Sequence, residues 1–402
     1  MTAFAIELVR PFSPAGLEES RKRAVAGAGL LAISAMALYL LTGPTDAGGD
    51  AYIPLAGALL HGRLTIDARS WIELVPTDGG WAVPFPPVPV VFYLPVVAFM
   101  GVQPWNAELG VGVMPAILGG LSVGLAYLML RVRLAVKQRP ALWICAGFAT
   151  TTLWWVAGIG GTHLMAQTSA VLFLLAALYL GLGDRWPALA GLLFALAVGS
   201  RLPVGLALPV FLYLYRGRSW IFIAGALPIA GLVGLYDLAR FGSPLDFGYA
   251  RIPSGPGLVT DEPWYKDGIM SPLYIPRGIQ AALFSWPTID IGQAPFVKPS
   301  LYADSLLLTA PFIGGAILAR ERRALVVAST GILVLTIDLM HGNPGFTQFG
   351  YRFILDSMPL WLVVLGMVMR DHVAPVFRVA VIVGALVTAY GLWTWAIGFA
   401  TI

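Results

Sequence analysis

The sequence predicts an all-α, polytopic integral membrane protein, and three observations carry that prediction. Apolar residues make up 58% of the 402-residue chain and charged ones only 11%, against roughly 45–50% and about 25% in ordinary globular proteins. So few charges cannot cover a soluble surface, so most side chains must face lipid or one another. Apolar runs of membrane-spanning length recur along the chain. Thirteen Trp and fourteen Tyr supply rings of the kind that settle at membrane interfaces. Disordered, fibrous and disulfide-stapled classes are excluded. The single cysteine, Cys145, has no internal partner. The net charge of +4 is read by position, as topology rather than nucleic-acid binding.

The N-terminus carries Arg10, Arg21, Lys22 and Arg23, followed by a 19-residue apolar run, 24–42. That run exceeds a cleavable signal's core of roughly 7–15 residues, so it reads as an uncleaved first span with its N-terminus in the cytoplasm. The stretch 86–101 is apolar but holds Pro86, Pro87, Pro89 and Pro95, each lacking a backbone donor that lipid cannot replace. If it spanned, the basic loop with Arg131, Arg133, Lys137 and Arg139 would lie outside. It is therefore expected to be interfacial or re-entrant.

The remaining spans are expected at 109–130, 141–159, 168–183, 187–200, 203–215, 219–239, 301–319, 324–340, 354–369 and 375–398. Merging 187–200 with 203–215 would move Arg320, Arg322 and Arg323 outside, so the two form a short hairpin that turns at Arg201. Eleven spans result, the C-terminus outside, and 16 of the 25 basic residues fall in short inner segments. One transmembrane domain, 1–402, carries two long outer loops, 43–108 and 240–300. Long non-repetitive loops on a compact scaffold usually serve function.

Fifteen of the 21 acidic residues fall in the outer loops or near the outer ends of spans. An outer face that mixes carboxylates with arginines can deprotonate a hydroxyl and hold a phosphate. It can equally be a solvated surface. The first loop opens Thr-Asp-Ala-Gly-Gly-Asp-Ala-Tyr at 45–52, then an apolar stretch that Gly62 stops, which reads as a short interfacial helix. Asp50 sits at that helix's positive end, either as a cap or as a reactive carboxylate, and Asp46 lies four residues before it. No P-loop or dinucleotide fingerprint occurs, so direct use of a cytoplasmic nucleotide or nucleotide-sugar is not expected.

A carboxylate just after the first span, then a short helix ending Leu-Leu-His-Gly-Arg-Leu at 59–64, resembles the first external loop of polyprenyl-phosphate-dependent GT-C glycosyltransferases. Further segments agree in order: Trp-Ala-Val-Pro-Phe-Pro-Pro-Val-Pro at 81–89, Gly-Ser-Arg-Leu-Pro at 199–203, Ala-Arg-Phe-Gly-Ser-Pro-Leu-Asp-Phe-Gly-Tyr at 239–249, and Gln-Phe-Gly-Tyr-Arg-Phe-Ile-Leu-Asp at 348–356. Together they resemble bacterial membrane proteins grouped with the family-39, mannosyltransferase-like enzymes. One departure stands out: many relatives have Asp-Glu where this chain has Asp50-Ala51.

The resemblance implies a GT-C-like bundle of about eleven transmembrane helices, with interfacial helices of the first outer loop covering the active site. It implies a bacterial plasma-membrane enzyme whose site faces the extracytoplasmic side. Such an enzyme moves a sugar from a polyprenyl-phosphate donor to an envelope acceptor (glycan, lipid or protein), usually with inversion. The general base falls on Asp50, with Asp46 as the alternative. An arginine suits the leaving phosphate, and the candidates are Arg201, Arg352 and Arg240. Tyr52, His61, Asp261, Glu262 and Tyr351 are candidates for contacting sugar or acceptor. Some GT-C enzymes use a divalent ion such as Mg or Mn, but no His/Cys/carboxylate spacing here resembles a zinc site. A lipid-linked-sugar flippase and a non-catalytic assembly subunit are the alternative functions. The flippase would favour charges near the bilayer centre on broken helices, whereas Asp237, Asp304, Asp338 and Asp356 fall near outer helix ends.

Overall fold

A computed structural model describes residues 14–43, 50–67, 73–102, 104–253, 265–300, 302–345 and 348–396. Helices dominate it. α1 (Pro14–Thr42) leads to α2 (Tyr52–Leu60), the interfacial helix expected after the first span, which ends at Gly62 with φ +72°. Two short strands, β1 (Val75–Thr77) and β2 (Gly80–Ala82), form an antiparallel hairpin in the first outer loop. The proline-rich stretch follows as a 3-10 turn (Val88–Phe92) and α3 (Leu94–Met100), too short to cross a membrane.

α4 (Pro104–Leu128) ends in a π-helical turn, and α5 (Gln138–Ala149) and α6 (Thr152–Ile159) follow, bent by 54° at the break between them. The bend falls where Thr151 leaves helical geometry and its side chain accepts from Leu153 N–H. α7 (Thr162–Gly181), α8 (Pro187–Val198), a 3-10 turn (Leu202–Ala207), α9 (Leu208–Leu214) and α10 (Ser219–Phe241) follow. The second outer loop holds α11 (Ile275–Phe284) and the antiparallel pair β3 (Thr288–Ile289) and β4 (Val297–Lys298). The chain closes with α12 (Leu306–Thr309), α13 (Arg322–Leu339), α14 (Ile354–Val368) and α15 (Pro375–Ala396).

By length and apolarity, α1, α4, α7, α10 and α15 each suffice to cross a membrane, and the bent pair makes a sixth candidate. The segment expected as a span at 301–319 differs. α12 lasts one turn and a 3-10 helix (Pro311–Leu318) replaces the rest. Pro311 has no N–H and disfavours helical geometry at Ala310, which sits at φ −146°, ψ 44°.

Small residues set the tightest packing. On α4, Gly120 and Gly124 leave no room for a Cβ against the carbonyls of Ala32 and Ala28 on α1, and Gly191 and Gly225 do the same between α8 and α10. Close backbone approach through small residues is how helices associate in lipid, where burial against water offers no drive.

The two ends of the bundle differ in chemistry. At one end Arg133 lies 4.1 Å over the Tyr179 ring and close enough to Arg21 to be repelled by it. Lys137 pairs with Asp371 at 3.1 Å, and Arg218 pairs with Asp184. The Tyr215 hydroxyl donates to Arg185 O at 2.8 Å, so α8 begins where α9 ends. The segment 187–215 is thus a hairpin with Arg201 at its apex, at the opposite end of the bundle.

Candidate active site

Four of the segments singled out in the sequence meet at that opposite end. Pro86 O accepts from the Tyr52 hydroxyl at 3.0 Å, Val83 O accepts from Arg240, and Gly199 O accepts from Val88 N–H at 3.1 Å. The 81–89 strap therefore ties α2, the end of α10 and the Arg201 apex together. Gly248, at φ +81°, faces Pro84 and the Phe241 ring, which a Cβ would meet at 2.7 Å.

Asp50 is buried at 9% exposure. Its Oδ1 accepts from Tyr52 N–H at 2.7 Å and lies 3.5 Å from Thr162 Oγ1, while Ala51 N–H donates to the same threonine oxygen at 2.8 Å. The two carboxylate oxygens differ in surroundings. Oδ1 caps the start of α2, and Oδ2 is buried with no partner at hydrogen-bond distance among the described residues. Burial raises the carboxyl to about 6, opposed by Tyr52 N–H, Tyr93 and Thr162. That places it near the value suited to a base at neutral pH.

The first turns of α7 form a hub. Gly160 and Gly161, at φ +74° and +103°, turn the chain into α7. Thr162 meets Asp50. His163 Nε2 lies 2.8 Å from Glu73 Oε2, its ring edge-on to Phe85 at 4.4 Å, so this histidine partners the first loop. One turn on, Gln167 Oε1 is 3.5 Å from Arg352 Nη1 and its Nε2 donates to Arg352 O at 3.2 Å.

Arg201 and Arg352 are neighbours with different surroundings. Arg201 is clamped by Asp356, Nη2 to Oδ2 at 2.6 Å and Nε to both oxygens at 3.0 and 3.2 Å, with Asp338 Oδ1 at 3.9 Å. Asp356 therefore pairs with Arg201 across the fold, not with Arg352 four residues before it. Arg352 Nε donates to Gln348 Oε1 at 2.9 Å, and among the described residues no carboxylate stands within ion-pair distance of it. Burial, then Arg201, lower its guanidinium to about 10. It stays charged at neutral pH, beside a second cation and with Glu73 and Asp356 acting on it only from a distance.

The other candidates fall as follows. Arg240 is spent on packing: it pairs with Asp237, donates to Val83 O, lies 3.8 Å over Tyr236 and 4.5 Å over Phe241, and its side chain is 1% exposed. Tyr52 is buried, with its hydroxyl on Pro86 O. His61 is exposed and bonds back to Gly57 O at 2.8 Å. Tyr351 is fully buried beside Phe353, its hydroxyl without a partner among the described residues. Asp46, Asp261 and Glu262 lie outside the described residues. Glu73, Gln167, Gln348, Tyr249, Tyr265 and His341 stand beside these residues as well, and burial lowers His341 to about 4 and keeps it neutral. Gln348 and Tyr249 carried a sequence signal, standing inside the 348–356 and 239–249 segments. Among the described residues no three His, Cys, Asp or Glu gather as a metal-binding group.

No family model and no curated protein matches the sequence. Among solved structures the chain superposes on ArnT from Cupriavidus metallidurans bound to undecaprenyl phosphate, with a TM-score of 0.50 and 16% identity, covering 92% of this chain and 65% of that one. It superposes equally, at TM-score 0.50 and 16% identity, on the apo oligosaccharyltransferase of Archaeoglobus fulgidus, covering 94% of this chain and 55% of that one. This is the GT-C glycosyltransferase fold. The chain spans less than two thirds of either neighbour's length. Within the GT-C fold, the first outer loop, the start of α7 and the loop before α14 converge on one site.

Proposed function

We propose that this chain is a membrane glycosyltransferase that takes a sugar from a polyprenyl-phosphate donor and passes it to an acceptor hydroxyl. The observation that carries this reading is the α7 hub, where Thr162, His163 and Gln167 gather Asp50, Glu73 and Arg352. The undecaprenyl phosphate bound to ArnT supports the choice of carrier. The basic end of the bundle supports an extracytoplasmic site in a plasma membrane, because short loops rich in Arg and Lys stay inside.

In the proposed reaction Asp50 Oδ2 takes the proton of the acceptor hydroxyl as that oxygen bonds to the anomeric carbon from the face opposite the phosphate. The bond from that carbon to the phosphate oxygen breaks, and its electron pair leaves with the polyprenyl phosphate. The charge gained there falls to Arg352, whose planar fork meets no carboxylate at ion-pair distance among the described residues. Removing one such donor from an anion site costs about 3–4 kcal/mol in transition-state stabilisation. Arg201, already clamped by Asp356, adds field rather than a direct bond. Glu73 and the tyrosines at 249 and 265 are placed to meet sugar or acceptor hydroxyls.

The test is release of free polyprenyl phosphate by purified protein, offered a panel of polyprenyl-phosphate sugars with an envelope extract as acceptor. Release with one donor supports the reading and names the sugar. Transbilayer movement of a sugar-lipid without release would establish the flippase instead.

A further inference from the structure

The second outer loop carries an apolar surface that its own fold leaves uncovered. Phe284, Trp286, Ile289, Ile291 and Phe296, at and around the β3–β4 hairpin, are all more than half exposed, Ile291 at 88% and Ile289 at 72%. Exposed apolar side chains gathered on one hairpin mark a contact surface.

The structure also shows where this surface sits. The Tyr390 hydroxyl on α15 donates to Pro295 O at 3.0 Å and to Val297 O at 2.7 Å. Tyr390 lies five residues before the described end of the span Pro375–Trp395, which is about 7.5 Å along a helix. The β4 side of the hairpin, at Pro295 and Val297, thus meets α15 within the apolar length of that span, at the end away from the basic cluster. The exposed hairpin residues continue onto the lipid-facing side of α15, where Leu386 is 66% and Trp393 51% exposed. Both feet are stitched down: Ser305 N–H donates to Ser285 O at 2.8 Å, and Ser285 Oγ donates to Ala303 O at 2.6 Å. The one charge pair described on the hairpin is internal, with Lys298 bonded to Asp290 at 3.2 Å and to Gln293 at 2.9 Å. Lowering the hairpin into an apolar medium therefore strands no lone cation.

We infer that this hairpin is a monotopic anchor whose apolar tip lies in the leaflet on the active-site side, its occupant being the bilayer itself. α11, which precedes it, is amphipathic, with Gly278, Ala281 and Ala282 buried and Ile279 and Phe284 exposed. The same loop reaches the site through the Met270–His341 bridge and Arg277, which donates to Gly342 O. The anchor therefore fixes the height of the site's roof above the headgroups. This inference does not depend on the chemistry proposed above.

The test is spin-label depth in liposomes of phosphatidylethanolamine and phosphatidylglycerol. Ile289→Cys and Ile291→Cys are labelled, with Asp78→Cys in the β1–β2 turn as the aqueous reference. Cys145 is buried, and unmodified protein carried through the same labelling supplies the background. The expected result is a label at position 291 about 5–10 Å below the phosphates, colliding with oxygen more than with a water-soluble nickel reagent, and the reverse at position 78. Nickel access at 291 equal to that at 78 would overturn the anchor. Shielding at 291 from both reagents would also overturn it, and would show a protein contact instead.

Discussion

Arg352 Nε donates to Gln348 Oε1 at 2.9 Å, and both glutamines that touch this arginine turn an oxygen toward it because their amide nitrogens are committed elsewhere. Gln348 Nε2 donates to Pro344 O at 3.0 Å and to Tyr302 O, and Gln167 Nε2 donates to Arg352 O at 3.2 Å. A carboxamide fixes a guanidinium without cancelling its charge. Gln348→Glu should therefore weaken donor use, raising the donor KM about tenfold or more (about 1.4 kcal/mol per decade), while Gln348→Met should cost less. Donor titrations of the two variants decide the order.

Arg201 and Asp356 form a buried pair, with side-chain exposures of 14% and 0%. Removing one partner strands the other and should cost roughly 3–5 kcal/mol. The double variant Arg201→Met, Asp356→Leu should recover part of that loss. Thermal unfolding in detergent measures all three.

Arg240→Ala is the contrasting case. Its guanidinium holds Asp237, Val83 and two ring faces, so the variant should lose stability. In the folded fraction its donor KM should be unchanged. A raised donor KM there would assign Arg240 to the phosphate after all.

Asp50 links activity and stability to pH in opposite senses. As the base it must be ionised, so kcat/KM should rise about tenfold per pH unit at low pH and level off above about 6. The folded state holds a proton between the ordinary 3.8 and about 6 that the unfolded chain has lost. Asp50 therefore favours the native state at low pH, and that contribution is lost as pH rises through 6. Asp50→Asn removes the dependence, so its melting temperature relative to wild type should climb between pH 4 and 6 and then stay level. His341, kept neutral down to about 4, gives stability that is lost as pH falls below 6.5. It is common to both proteins and cancels in the difference.

Much of this was legible in the sequence because lipid is a strict solvent. Apolar runs, proline clusters and the placement of arginines placed most helices, the Arg201 hairpin and the interfacial α2 with its stop at Gly62. The 301–319 segment departs from a continuous α-helix because Pro311 stops α12 after one turn despite the apolar run. Asp50 and the two arginines stood out through charge in an apolar chain. Glu73, His163 and Gln167 did not, since their contacts pair distant segments, such as residues 73 with 163 and 167 with 352. No local spacing encodes those contacts.

The most direct test of the central claim compares wild type with Asp50→Asn for release of polyprenyl phosphate between pH 5 and 8, using the donor that wild type accepts. A folded Asn variant should be slower by roughly 10²–10⁴-fold, the range a positioned base contributes, and should show no rise with a midpoint near pH 6. Release by the variant at the wild-type rate, with the same pH profile, would contradict Asp50 as the base.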